Sequence, residues 1–216
     1  MSGKVDVFHH ERMDMFKKLA AEALGLSDIG VIVGPEDYSK VDADDYLFNE
    51  DGEQIFFLIK SKKDEYCFTN LALVHVDGDS AVSSKRAIKR FDYATYRVSN
   101  VSIETAGTLD LDIELKFKLD DVPFSIDVKK TRIEQLKDIY KALITIGKQQ
   151  KRDAVCRDNA LRTLDATASV HKLNIAPGAG SLVSQYGELL EALNTAMLDT
   201  YTKRDFSDVF AKYIHN

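Results

Sequence analysis

The chain has 216 residues, enough for one large domain or two small ones, and its 44% hydrophobic and 30% charged content is ordinary for a globular protein. A net charge of −6 gives no support to nucleic-acid binding, and no apolar run approaches the roughly 20 residues that a membrane-spanning helix needs. The polar N-terminus does not have the pattern of a signal peptide, and the two cysteines form no CxxC pair, which indicates reduced thiols in a cytoplasmic protein.

The charge is distributed unevenly along the chain. Residues 1–53 carry 13 acidic and 5 basic residues, residues 54–131 are balanced, and residues 132–216 carry a net charge of +2. Because these three blocks also differ in the spacing of their apolar residues, we treat them as separate units of organisation.

The first unit begins with a predicted helix. Apolar residues recur at helical spacing over about 7–24, and Gly25 is a typical helix terminator. A short apolar segment at 29–33 is followed by an acidic stretch. We therefore expect residues 1–45 to form an N-terminal helical and acidic segment that precedes the main domain.

The second unit has the pattern of β-strands. Apolar and polar residues alternate over short runs that are separated by turn sequences such as GDS, AGT and LDDVP. Such spacing predicts antiparallel neighbours in a sandwich or barrel, with one face of each strand buried. Seven runs belong to this unit: 54–61, 66–70, 71–77, 88–93, 98–104, 109–119 and 122–128.

Three carboxylates stand in a row on the sixth of these runs. Asp110, Asp112 and Glu114 alternate with large apolar residues, so a strand places all three on the side opposite the core. Lys116 and Lys118 continue the same row, as expected for a solvated face. A metal or acid–base site would need carboxylates that converge on one point, usually with another ligand, and a single strand does not supply this. We therefore expect a solvated face and no metal site.

The third unit is helical. Thr131 and Glu134 form a Thr-x-x-Glu capping box that begins a helix ending near Gly147. Further helices are predicted over about 151–172 and about 181–202, separated by the sequence NIAPGAGS. A last short helix carries an apolar face formed by Phe206, Val209, Phe210, Tyr213 and Ile214.

The strand-rich unit resembles a known family. The sequence FTN with the apolar strand that follows it, and SIETAG followed by DLDIELKF, are similar to the most recognisable stretches of the bacterial pleckstrin-homology-like family, the YvbH-like group. The resemblance covers residues 46–148. The helices over 149–216 resemble an extension found in some members, which is described as an oligomerisation region.

The resemblance implies an α+β fold. Its core would be a strongly bent, seven-stranded antiparallel barrel that is plugged at one end by a C-terminal helix, here about 132–147, and followed by the all-helical extension. Members of the family look like self-associating domains that form rings. The family brings no catalytic residues and no cofactor, so none is expected here.

One departure from the family bears on ligand binding. Family members often follow Thr-Asn with a basic pair, whereas Thr69 and Asn70 are followed here by Leu71 and Ala72. An anion contact made at this point by relatives is therefore not expected in this chain.

Basic residues cluster in two loops of the strand-rich unit. The candidate anion-binding residues are Lys62 and Lys63 in the first hairpin, and Lys85 and Arg86 after the third strand. Phosphate recognition needs several such side chains that converge on one point. Asp64 lies beside the first pair and weakens its potential, so a solvated face is the alternative.

The helix predicted over 181–202 carries a broad apolar face. Leu189, Leu193 and Met197 lie on it at i, i+4 and i+8. A helix with such a broad apolar face must be covered by another part of the protein or by a second subunit. The covering element is either a second subunit or, within one chain, the helix at 151–172 and the N-terminal helix.

The function that these observations favour is a non-enzymatic, self-associating interaction module, a homo-oligomer of unknown cellular role that could also bind other proteins. The alternative is a peripheral binder of anionic lipid headgroups or other anionic ligands through its basic loops. No catalytic motif supports an enzyme.

Overall fold

A computed structural model describes residues 29–78, 86–105, 112–170 and 182–215. The helix predicted over 7–24 lies outside these residues. The fold is α+β, as expected, and consists of two antiparallel sheets, one long helix and short carboxyl-terminal helices.

The strands follow one another in chain order within each sheet. The first sheet contains β1 (Val31–Ile32), β2 (Ile55–Lys60), β3 (Glu65–Thr69), β4 (Ala72–Gly78) and β5 (Arg86–Asp92). The second contains β6 (Val98–Thr105), β7 (Asp112–Leu119) and β8 (Val122–Lys129). Each of the seven predicted runs overlaps one of the strands β2 to β8, and the two-residue β1 is additional.

The two sheets meet at Gly30, just before β1. Its amide donates a hydrogen bond of 2.7 Å to the carbonyl oxygen of Asp127, and it forms a parallel bridge with Val128 in β8. A Cβ atom on Gly30 would lie 2.6 Å from a methyl group of Ile59 and 2.9 Å from the Asp127 carbonyl oxygen. Only glycine therefore allows this close approach of the sheets.

The long helix α1 (Ile133–Val170) runs for 38 residues without interruption. The predicted end near Gly147 is therefore wrong, and the segments predicted as two helices form one. Gly147 packs directly on β6, where an added Cβ would lie 2.5 Å from the carbonyl oxygen of Val98. The glycine serves this close contact with the sheet and does not terminate the helix.

The chain ends in three short elements. Helix α2 (Leu182–Thr195) continues into a π-helical turn, Ala196–Thr200, and α3 (Ser207–Tyr213) follows. The predicted helix at 181–202 thus corresponds to α2 with its π-helical turn, and the predicted last short helix corresponds to α3.

The main hydrophobic core lies between the two sheets and the helices. The first half of α1 contributes five fully buried side chains, Ala142 and four larger aliphatic ones, and the segment that contains α3 contributes two aromatic ones. The larger of these residues are Leu136, Ile139, Leu143 and Ile146 from α1, and Phe206 and Phe210 from the carboxyl-terminal segment.

A second core covers the outer face of the first sheet. Three short 3-10 helices, Pro35–Lys40, Asp42–Tyr46 and Asn49–Asp51, run across this face. Residues of the crossing segment pack on outward-facing residues of β2, β3 and β4: Val33, Val41 and Ala43 on Leu58, Cys67, Val74 and Val76. The first sheet is therefore buried on both faces here, which explains why its sequence IFFLI does not alternate.

Candidate self-association arm and neighbouring surfaces

We use the name arm for part of α1 together with helix α2 and the π-helical turn. Its two limbs are defined here as residues 148–162 and residues 182–200. The limbs carry large aliphatic side chains whose exposed fractions lie between 42% and 55%: Val155, Leu161, Leu189, Leu190 and Leu198. Exposure of this extent on both helical limbs marks the arm as a candidate interface.

The three residues predicted to form the oligomer interface differ in their exposure to solvent. Leu189 is about half exposed, whereas Leu193 and Met197 are only partly exposed. The neighbouring Leu190, which is also about half exposed, was not in the predicted set. Among the described residues, α2 makes its main contacts with the π-helical turn that follows it.

Polar contacts fix the base of the arm to the end of the chain. The Arg157 guanidinium donates hydrogen bonds to the Tyr201 carbonyl oxygen and, at 3.1 Å, to the Thr202 hydroxyl. The buried Asp153 carboxylate accepts a hydrogen bond of 3.2 Å from the Lys203 amide. The second limb is therefore held against the first where it returns to the domain.

After the arm, residues 203–215 return to the sheets; we call this segment the latch. Its Phe206 amide donates a hydrogen bond of 2.9 Å to the Asn70 carbonyl oxygen. The Phe210 ring stacks on Phe56 with 5.3 Å between the ring centroids, and Phe206 meets Tyr93 edge to face at 5.8 Å. The spacing of the aromatic residues predicted an apolar helix face, but not the surface that it would cover.

Asn70, at the end of β3, joins three parts of the chain. Its side-chain amide donates hydrogen bonds to Asp205 Oδ2 at 3.0 Å and to the Gly52 carbonyl oxygen at 3.3 Å. Its side-chain oxygen accepts one of 2.9 Å from the Gln54 amide. The side chain is almost fully buried, and its hydrogen bond to Asp205 ties the latch to the end of β3.

Two buried carboxylates anchor the acidic segment, and the sequence patterns did not reveal them. Glu53 accepts hydrogen bonds of 2.9 Å from Arg90, 2.6 Å from the Thr69 hydroxyl and 2.8 Å from the Phe48 amide. Glu65 pairs with Lys60 and accepts a hydrogen bond of 2.9 Å from the Ala43 amide. Buried charges of this kind are stable only when they are paired in this way.

Of the candidate anion-binding residues, Arg86 lies next to the turn that contains Lys62 and Lys63. Lys62 and Lys63 are exposed in the turn between β2 and β3, and Lys85 is outside the described residues. Arg86 donates a hydrogen bond of 3.2 Å to the Lys63 carbonyl oxygen, but its guanidinium also pairs with Asp42 at 3.1 Å. The ion pair with Asp42 offsets the positive charge of Arg86, the one arginine among these four residues. Anion binding by this group stays a prediction.

The described part of the acidic row forms the outer face of β7. Asp112 and Glu114 are partly exposed and alternate with buried apolar residues, which confirms the predicted orientation; Asp110 lies outside the described residues. A hydrogen bond from Lys116, together with a second from Ser125, lowers the pKa of the Glu114 carboxyl. Within the described ranges, no group of three His, Cys, Asp or Glu residues is placed to hold a metal ion.

A histidine lies in the wall of the first sheet. The His75 ring stacks on Tyr66 with 4.5 Å between centroids, and its Nε2 atom lies 3.2 Å from Asp64 Oδ1. Burial lowers the pKa of His75 below its ordinary value of 6.5, and Lys89 acts in the same direction, while Asp64 and Asp77 oppose the shift. His75 is therefore held mainly in its neutral form.

The lowered pKa of His75 predicts a loss of stability in acid. Below a pH of about 6.5 the unfolded chain takes up a proton that the folded chain resists, so the free energy of unfolding should fall as the pH drops. For this one group the slope is at most about 1.4 kcal/mol per pH unit. Urea denaturation of wild type and His75→Gln between about pH 7 and pH 5.5 should show a shallower slope for the variant. Equal slopes, or a His75 pKa above 6.5 by NMR, would contradict the prediction.

The described helices include none that is both long and apolar enough to cross a membrane. Both cysteines are free thiols, with Cys67 buried and Cys156 partly exposed. Burial, the largest cause, and then the nearby Glu65 raise the pKa of the Cys67 thiol well above its ordinary value. Such a thiol is a poor nucleophile.

Comparison with known proteins agrees with this architecture. Residues 23–147 match the family model of the bacterial PH domain, and residues 180–216 match the YvbH-like oligomerisation region. The second match therefore contains α2, the π-helical turn and the latch.

One curated relative and one solved structure match most of the chain. The Bacillus subtilis (strain 168) protein YvbH is 51% identical over 205 residues, which cover 94% of this chain and 100% of that protein. YjqA of the same organism is 29% identical over 97 residues, or 44% of this chain and 76% of that protein. The crystal structure of a PH-domain-containing protein from Exiguobacterium sibiricum 255-15 superposes with a TM-score of 0.74 at 42% identity, covering 87% of this chain and all of that chain. The protein therefore belongs to the bacterial PH domain family and carries a YvbH-like oligomerisation region at its carboxyl end.

Proposed function

We propose that the protein is a non-enzymatic interaction module that associates with further copies of itself through the arm. The observation that carries the proposal is the set of half-exposed aliphatic side chains on the two limbs. Burial of such side chains is favourable by about 25 cal/mol for each Å² removed from water, so a second arm is a suitable cover. The match of residues 180–216 to an oligomerisation region supports the same function.

The aromatic residues of the latch do not contribute to this association surface. Phe206 and Phe210 are fully buried in the core of their own chain, so they are not available to a partner. The limbs, in contrast, carry aliphatic side chains that are about half exposed. Within the oligomerisation region, we therefore assign association to residues 182–200 and anchoring to residues 203–215.

The double variant Leu189→Asp with Leu190→Asp tests the proposal. Each substitution removes aliphatic contact area and requires a carboxylate to leave water when two arms meet, so association should weaken at least tenfold. Both side chains are already about half exposed, so the melting temperature of each subunit should change little. Light scattering over a dilution series, with a melting curve on the same sample, measures both effects.

Val122→Asp is the matched control, because Val122 is also a partly exposed aliphatic residue but lies on β8, outside the arm. It should leave the oligomeric mass unchanged. A double variant in the arm that keeps the wild-type mass but melts many degrees lower would show that these leucines are covered within one chain. A wild-type chain that is monomeric at all concentrations would contradict the proposal outright.

A further inference from the structure

The two limbs of the arm carry opposite charge. Residues 148–162 contain five basic and two acidic residues, whereas residues 182–200 contain three acidic residues and no basic one. We call them the basic limb and the acidic limb. The basic residues are Lys148, Lys151, Arg152, Arg157 and Arg162, and the acidic residues of the second limb are Glu188, Glu191 and Asp199.

Among the described residues of the arm, no ion pair joins the two limbs. Arg162 pairs with Asp158 of its own limb at 2.9 Å, and Arg157 bonds a carbonyl and a hydroxyl oxygen of the returning chain. The side chains of Lys151, Arg152, Glu188 and Glu191 are exposed.

The charges lie beside the exposed apolar residues. Lys151 and Arg152 precede Val155 by one helical turn and therefore lie on the same face of α1. Glu188 and Glu191 flank Leu189 and Leu190 directly in the sequence. A partner that covers the aliphatic side chains must consequently approach these charges within the roughly 8 Å over which they act in physiological salt.

We propose that copies of the chain meet arm to arm, with the basic limb of one copy on the acidic limb of the next. This inference rests on the self-association proposed above and adds its orientation. Contact between two basic limbs or two acidic limbs would bring like charges together beside the aliphatic surface, whereas contact between unlike limbs pairs them. Complementary charge of this kind selects the orientation and speeds encounter, while the aliphatic residues supply the buried area.

Charge reversal on each limb tests the orientation. The variant Lys151→Glu with Arg152→Glu makes both limbs acidic, and Glu188→Lys with Glu191→Lys makes both limbs basic. Each double variant alone should associate at least tenfold more weakly than wild type in low salt, as measured by light scattering and sedimentation. An equimolar mixture of the two variants should associate again, because each acidic limb then finds a basic one. All four positions are exposed, so circular dichroism and melting curves should match those of wild type.

The outcomes separate this inference from the proposed function. If Leu189→Asp with Leu190→Asp dissociates the protein but both charge-reversed variants keep the wild-type mass, the orientation is wrong and the arm remains the interface. If the wild-type chain is monomeric, both proposals fail. A salt titration of the unmodified chain gives a test that does not depend on the variants folding: association should weaken as sodium chloride rises, and association that does not change with salt overturns the inference.

Discussion

Replacing Phe210 with alanine should lower the free energy of unfolding by about 3–5 kcal/mol, which would make it one of the most damaging single substitutions in the chain. The Phe210 side chain is fully buried, stacks on Phe56 and lies 6.2 Å from Tyr93 between ring centroids. Truncation would leave a cavity among α1, β2 and the aromatic residues, which other side chains cannot fill because they belong to rigid elements.

Urea denaturation followed by circular dichroism measures this cost. Phe48→Ala is a suitable control, because it removes the same number of atoms from an exposed ring that contacts Arg90 only through a cation–π interaction. The control should cost about 1 kcal/mol or less. Equal effects of the two substitutions would show that the latch is not docked in solution.

The contribution of the latch to the main core affects the stability expected of the predicted central domain. A chain restricted to residues 46–148 would contain every strand from β2 to β8 but would lack Phe206 and Phe210, which complete the main core. We therefore expect this fragment to melt at a lower temperature than the whole protein. The division at residue 148 remains a prediction about sequence units, and the latch crosses it.

Replacing Glu53 with alanine should cost about 3 kcal/mol, at the low end of the range for breaking a buried ion pair. The carboxylate is 3% exposed and accepts hydrogen bonds from Arg90, Thr69 and Phe48, and its loss leaves the last two donors buried without this acceptor. Arg90 keeps its contact with Asp92 at 2.7 Å, which limits the cost. The acidic segment that covers the second core should loosen as a result.

Glu50→Ala is the matched control, since Glu50 is an exposed carboxylate in the same segment. It should change the free energy of unfolding by about 0.5 kcal/mol or less. Combining Glu53→Ala with Arg90→Ala, and measuring each single variant as well, completes a double-mutant cycle for this ion pair. A coupling energy near zero between positions 53 and 90 would contradict the role assigned to the pair.

Local patterns predicted the strands and short helices well, because the period of apolar residues depends only on near neighbours. The alternation in β7 correctly placed Asp112 and Glu114 outside the core. The pattern at Gly147 misled, because a glycine within a helix and a glycine that ends one look alike in sequence. Only the contact with Val98 distinguishes them.

The sequence by itself therefore determined the order of strands β2 to β8, the family resemblance and the opposite charge of the two limbs, since these properties follow from residues close together in the chain. Tertiary structure alone decided that the five-stranded sheet is covered on both faces, that Glu53 is buried and that the latch closes the core. Each of these depends on contacts between distant residues, such as the hydrogen bond between Asn70 and Asp205, which are 135 positions apart. No local pattern carries that pairing, because the free energy of burying a side chain depends on what the rest of the chain places against it.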